Sequence, residues 1–181
     1  MYETLATQGR ETIHTGLAAI DSSKLKKLRS SHLKECFGLI DEMRHKLEFV
    51  ARIKGISFID DAASRSALST WYALETVEGS VVWIANGASS GSHNARDLKK
   101  LRTLVDSKVR MIVCLGDSSL YQDIFGDMVE YIIQVETMHE AVTTAFYSSP
   151  ENIKILYSPA VENGISFDLE GERFKREVNE L

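Results

Sequence analysis

The side chains best placed to do chemistry fall in two short stretches, His45-Lys46 and Asp60-Asp61, with Arg65 close behind the second. Together they offer an imidazole, two cations and two carboxylates within about one strand-turn-strand length of chain. Arg65 can present its guanidinium to an anion, or pair with Asp60 or Asp61; the pairing is the favoured reading. A third stretch, Gly87-Ala88-Ser89-Ser90-Gly91-Ser92, is glycine-rich and follows an apolar run. Such strand-to-helix turns hold anions on backbone N–H groups at a helix start. An ordinary capped turn between strand and helix is the simpler account and is preferred.

Other chemistries find no support in the spacing. None of the eleven glycines is followed by lysine, so the G-x-x-x-x-G-K-[ST] loop that cradles nucleotide phosphates is missing from this sequence. His14, His32, His93 and His139 have no metal-ligand spacing, and no metal site is expected. Ser158 precedes Pro159 without the setting of a nucleophile elbow. The basic run Lys24, Lys26, Lys27 and Arg29 reads as a solvated helix face. With 21 basic and 26 acidic residues the net charge is −5, which argues against a nucleic-acid surface. No apolar run reaches the roughly 18 residues that span a bilayer, and no membrane association is expected. The start, Met1-Tyr2-Glu3-Thr4, lacks the basic-then-apolar order of a signal peptide. Cys36 and Cys114 are too few for a disulfide framework and read as buried free thiols. These features point to the cytoplasm.

The elements that must position these groups follow from apolar periodicity. Residues 1–43 show no strand pattern; Ile13, Leu17 and Ile20, then Leu25, Leu28, Leu33, Phe37 and Ile40, fit two amphipathic helices. Their apolar faces need cover, which suggests an isologous homodimer through residues 1–43. From Leu47 the pattern changes. Leu47–Ile53 and Ile56–Ile59, punctuated by Lys54-Gly55, predict a β-hairpin. Strands at Val81–Ala85, Val109–Leu115, Tyr131–Val135 and Ile153–Tyr157 then alternate with helices near Ala95–Val105, Leu120–Met128, Met138–Tyr147 and Leu169–Glu180. Continuous apolar strands separated by helices predict an α/β, Rossmann-like, doubly wound and mostly parallel sheet of about six strands, with helices on both faces. The expected division is a helical segment, 1–43, and an α/β domain, 44–181.

The ordered motifs carry a resemblance. His45-Lys46-Leu47-Glu48-Phe49-Val50 and Ile59-Asp60-Asp61-Ala62-Ala63-Ser64-Arg65-Ser66 resemble the H-R-L-E-F-V and I-N-D-S-K-A-T-N segments that open the C-terminal domain of the Mur ligase family, nearest its D-glutamate-adding (MurD) branch. Trp71–Glu75, Val81–Gly87, Gln134–Val142, Ser158-Pro159-Ala160 and Gly171-Glu172-Arg173-Phe174 follow in the family's order, so the likeness runs from about His45 to Leu181. Enzymes of this family activate a carboxylate with ATP as an acyl phosphate, which an amino acid then attacks. The resemblance places a lysine where Ala63 stands, a threonine at Arg65, and a second lysine at Ser90. Each charge-assisted bond lost with those lysines is worth about 1.5–3 kcal/mol to a bound dicarboxylate.

His45, Lys46 and Asp61 match positions that the resemblance puts near the adenosine end of a nucleotide, Lys46 replacing an arginine. They are candidate contacts for residual ATP or ADP binding; the competing and preferred reading is that His45 and Asp61 hold the hairpin entrance and the strand end by hydrogen bonds. Lysine does not reproduce arginine's planar bidentate contact. The resemblance thus implies a non-catalytic relative of the C-terminal domain, binding an adenine nucleotide, a UDP-muramoyl precursor or another protein. The alternative is a fragment or subunit of an ATP-dependent D-glutamate-adding ligase of peptidoglycan synthesis.

Overall fold

A computed structural model describes residues 44–181, and the fold starts with a tight reversal. β1 (Glu48–Ile53) and β2 (Ile56–Asp60) pair antiparallel, with Ile53 opposite Ile56. Lys54 and Gly55, at φ 46° and 81°, make the turn. Both angles are positive, as the two-residue turn that matches strand twist requires, and glycine meets that need without strain. A bulge between Phe49 and Ala51 bends the outer strand.

The chain then alternates. α1 (Ala67–Thr76) leads to β3 (Val81–Asn86); α2 (Ala95–Leu98), a 3₁₀ turn (Lys99–Leu101) and α3 (Arg102–Lys108) lead to β4 (Val109–Leu115). α4 (Ser119–Phe125), β5 (Tyr131–Val135), α5 (Met138–Tyr147), β6 (Lys154–Tyr157) and α6 (Phe167–Asn179) complete it. The six strands lie in the order β1-β2-β6-β3-β4-β5, and every pair except β1 with β2 is parallel. This is the doubly wound Rossmann-like sheet that the sequence pattern predicts.

Central β3 is buried at all of its six residues, which explains its continuous apolar reading. Alternate strand residues feed two cores. Trp83, Ile112, Cys114 and Leu156 face Leu74, Leu98, Leu101, Val105, Tyr121 and Phe125 from α1 to α4. Phe58, Ile84, Val113, Ile155 and Tyr157 face Ala141, Val142 and Phe146 of α5 and Phe174 and Val178 of α6. Trp83 meets Tyr121 edge-on at 5.6 Å and donates its indole N–H to the Ser158 carbonyl at 2.7 Å. Lys108 closes α1 by donating to the carbonyls of Leu74, Glu75 and Val77, all within 2.9 Å. Each is a C-terminal carbonyl with no helical partner.

The single helix expected over Ala95–Val105 is instead broken by the 3₁₀ turn. A 3₁₀ step eclipses residues three apart, and it sends Leu98 and Leu101 into the same core. Cys114 is a buried free thiol, pushed up to about 12 by its apolar surroundings. No described helix is long and apolar enough to cross a membrane. The helices expected within residues 1–43, the homodimer built on them, and Cys36 lie outside the described residues.

Candidate functional site

In an open α/β sheet the loops leaving the carboxyl ends of parallel strands gather on one edge, where ligands sit. Here that edge carries Asp61–Ser66 after β2, Gly87–Asn94 after β3 and Ser158–Glu162 after β6. The connections from β2 and β3 run to one face of the sheet and the connection from β6 to the other, so the crevice has a topological reason to exist there.

Beneath this edge His45, Lys46 and Asp61 are all buried. His45, at φ 60°, turns its ring inward, and its Nδ1 lies 2.6 Å from Asp60 Oδ2. Its Nε2 has no hydrogen-bond partner among the described residues; Asp168 Oδ1 and Glu172 Oε1 of α6 stand at 3.7 and 3.6 Å. The Lys46 ammonium donates to Asp61 Oδ1 at 2.9 Å and, at closer range, to Ser64 Oγ. Asp61 also accepts from Ser158 Oγ at 2.8 Å and from the Leu47 amide at 3.3 Å. Ser158 in turn meets Thr70 Oγ1 at 2.8 Å, so one carboxylate ties the hairpin entrance, β2, α1 and the end of β6 together. Burial raises both Asp60 and Asp61 above the ordinary carboxylate range; the His45 hydrogen bond pulls Asp60 back, and the Lys46 charge pulls Asp61 back. In this conformation all three side chains have little surface, and they are engaged with Asp60, Ser64, Ser158 and one another.

His45, Glu48 and Asp60 bring three ligand atoms within 4.8 Å of one another, a grouping that the sequence spacing did not suggest. It is already neutralised from within. Lys175 donates to Glu48 Oε2 at 2.7 Å and stands 3.9 Å from Asp60, and that hydrogen bond holds Glu48 below its usual range. A cation would have to displace this ammonium.

Above the frame, Arg65, Ser66, His93, Asn94, Ala160 and Glu162 line a crevice of about 330 Å³. The pairing of Arg65 with Asp60 or Asp61 is not what the structure contains. Asp60 is taken by His45 and Asp61 by Lys46, and Arg65 makes no ion pair among the described residues. Its Nε is buried without a partner. Ala160, beside it, holds φ 64°, a left-handed strain that loops at ligand sites often store. Ala63 is half-buried; its amide donates to the His45 carbonyl at 3.0 Å.

Ser90 is exposed and turned away toward α4, donating to Asp123 Oδ2 at 2.5 Å while its amide bonds Ser119 Oγ at 2.9 Å. Three more amides of the Gly87–Ser92 loop are spent internally: Gly87 N on Leu115 O, Ala88 N on Asp117 O and Ser92 N on Ser89 O. A Cβ at Gly87 would lie 2.5 Å from Asp117 N, so this glycine serves the close packing of two loops. The following α2 has only four residues, too few to focus an anion at its start.

Sequence reasoning gave no place in the site to Ser158 or Thr70, nor to Glu170 or Gly171. The last two had a signal: α6 buries Phe174 and Val178, and Glu170 and Gly171 share that face at helical spacing, an acid and a glycine where apolar residues belong.

No family model matches the chain. It is 34% identical, over 98% of its length, to the UDP-N-acetylmuramoylalanine--D-glutamate ligase of Christiangramia forsetii. It is 31% identical, over 99% of its length, to the enzyme of the same name from Porphyromonas gingivalis. The chain spans about 40% of the length of each. These matches run through residues 1–43 as well, further than the motifs from His45 onward had suggested. Among solved structures, MurF from Acinetobacter baumannii superposes over 76% of this chain and 31% of its own, with a TM-score of 0.54 at 18% identity, which speaks to the fold alone.

Proposed function

We propose, for a chain that belongs to the Mur ligase family through its C-terminal domain, that this domain binds a phosphate-bearing anion at the Arg65 crevice and forms no amide bond on its own. One observation carries the reading: Arg65 lines the crevice with no ion-pair partner among the described residues and with its Nε buried and unspent. A guanidinium in that state matches a phosphate or carboxylate by paired N–H bonds. Adenine nucleotides (ATP or ADP) and UDP-linked muramoyl precursors both present such phosphates. His45, Lys46 and Asp61 act from below by holding the loops; for them to touch a nucleotide, the buried cluster would have to open.

The positions that the resemblance assigns to lysines argue against D-glutamate as the ligand. Ala63 and Ser90 bring no charge to hold a second carboxylate. A second reading has its own support in the length of the relatives: a domain spanning 40% of them can serve as one part of a larger ligase that supplies a phosphate loop elsewhere. The test is direct. Incubated with ATP, UDP-N-acetylmuramoyl-L-alanine and D-glutamate, this chain is expected to release no phosphate and form no dipeptide product. Product above a mock preparation would overturn the non-catalytic reading.

A further inference from the structure

We propose that a separate cleft, between α6 and the carboxyl ends of β4 and β5, is a binding site for a small dipolar ion bearing an ammonium and a carboxylate. The cleft measures about 440 Å³ and is walled by Gly116, Thr137, Ile165, Glu170 and Arg173 among others. It lies where the helix leaving β4 packs on one face and the helix leaving β5 packs on the other, a second switch point in the same sheet.

Glu170 is only 3% exposed. Its Oε1 accepts from Asn163 Nδ2 at 2.7 Å and Asn86 Nδ2 at 3.4 Å, whereas its Oε2 is buried with no hydrogen-bond partner. The neighbouring Tyr157 hydroxyl donates to Asn86 Oδ1 at 3.4 Å, and burial, the Glu170 charge and the closeness of the Glu170 carboxyl group hold that phenol well above its ordinary value. A buried carboxylate oxygen left unsatisfied is costly, and a donor entering the cleft relieves it.

At the mouth Arg173 is exposed and makes no ion pair among the described residues. Most of the other charges have partners. Arg176 and His139 both lean on Glu177, at 3.2 and 3.0 Å, and Glu136 accepts from Gln134 at 3.3 Å. At the start of α5 the capping box ties Thr137 to Glu140, and the Glu140 carboxylate, which also takes the Glu136 amide, sets a negative charge where a phosphate would have to dock. Glu170 is then the buried acid of the cleft and Arg173 its cation without an ion pair among the described residues; Glu136, exposed, has only a neutral amide for a partner. A simple anion would meet Glu170, and a simple cation would leave Arg173 idle; a molecule with both charges satisfies both.

The experiment is an NMR titration of the ¹⁵N-labelled chain with glycine, β-alanine and 4-aminobutyrate, beside butyrate and butylammonium as single-charge halves. At least one dipolar ion should produce saturable shifts at the Gly116, Thr137 and Ile165 amides, and bind roughly tenfold or more tightly than either half. Glu170→Gln, nearly isosteric, and Arg173→Gln, on the exposed side of α6, should each weaken it by a similar factor while the rest of the spectrum stays in place. Absence of saturation with all three dipolar ions would overturn the proposal. So would an equal response to butyrate, or undiminished binding in Arg173→Gln.

Discussion

Gly171 of α6 lies flat against the imidazole of His45: a Cβ built on Gly171 would stand 2.0 Å from His45 Nδ1. The ring cannot yield, because Asp60 holds the same nitrogen at 2.6 Å. The last helix therefore closes over His45 only if one position lacks a side chain. Phe167, edge-on to the ring at 6.3 Å, completes the contact.

Gly171→Ala should thus destabilise the protein even though alanine is the better helix former by about 1 kcal/mol. Overpacking of this kind costs about 1–3 kcal/mol, and here it falls on a hydrogen-bonded ring. Urea denaturation of the variant should show a lower midpoint. Adding His45→Ala should recover part of the loss attributed to the clash, seen as a coupling in the double-mutant cycle. A Gly171→Ala variant as stable as the parent would mean that α6 does not sit this close.

Asp61→Ala should behave as a lesion of the fold before anything else. It leaves the Lys46 ammonium buried beside Ser64 without its carboxylate and frees the Ser158 hydroxyl. Removing one partner of a buried pair costs about 3–5 kcal/mol. Chemical denaturation measures this. A stable, well-folded Asp61→Ala protein would return Asp61 to the list of candidate ligand contacts.

The hairpin, the strands and the order of helices were legible in the sequence because their information is local. Lys54-Gly55 sits between two alternating runs, and Val109–Leu115 and Tyr131–Val135, each broken by a single polar residue, are mostly apolar runs at the bounds the strands keep. That polar groups flanking a strand end must find partners was legible too, and the hydrogen bonds of His45 to Asp60 and of Asp61 to Lys46 and Ser158 are of that kind. The partner of Arg65 was not. Its pairing with Asp60 or Asp61 looked natural along the chain, but His45 and Lys46 arrive from 15 residues earlier and occupy both carboxylates. Glu170 was hidden in the same way: its burial depends on Asn86 and Asn163, which only the packing of α6 brings to it.

The start of α5 gives a pH prediction. Glu140 accepts from the Glu136 amide at 2.9 Å and the Thr137 amide at 3.1 Å, and these bonds hold its carboxyl below the usual range. A carboxylate depressed in the folded state adds stability above its unfolded value and loses it as pH falls through its folded value. Glu140→Gln should therefore be less stable than the parent at neutral pH, with the gap closing as the solution is acidified below the ordinary carboxylate range. Urea midpoints of both proteins across that range check it, and a gap that widens on acidification would refute the capping role.

The central claim is that Arg65 has replaced lysine-based recognition of a dicarboxylate with recognition of a phosphate-bearing anion. Isothermal titration of the parent, Arg65→Gln and the double variant Ala63→Lys/Ser90→Lys, each with ADP, pyrophosphate and D-glutamate, addresses it most directly. Arg65 is half-buried and makes no ion pair among the described residues, so Arg65→Gln should fold as the parent does. The account predicts that ADP and pyrophosphate bind the parent, that Arg65→Gln loses roughly tenfold or more in affinity for both, and that D-glutamate binds appreciably only after the two lysines are introduced. Tight D-glutamate binding by the parent, or phosphate binding unchanged in Arg65→Gln, would contradict it.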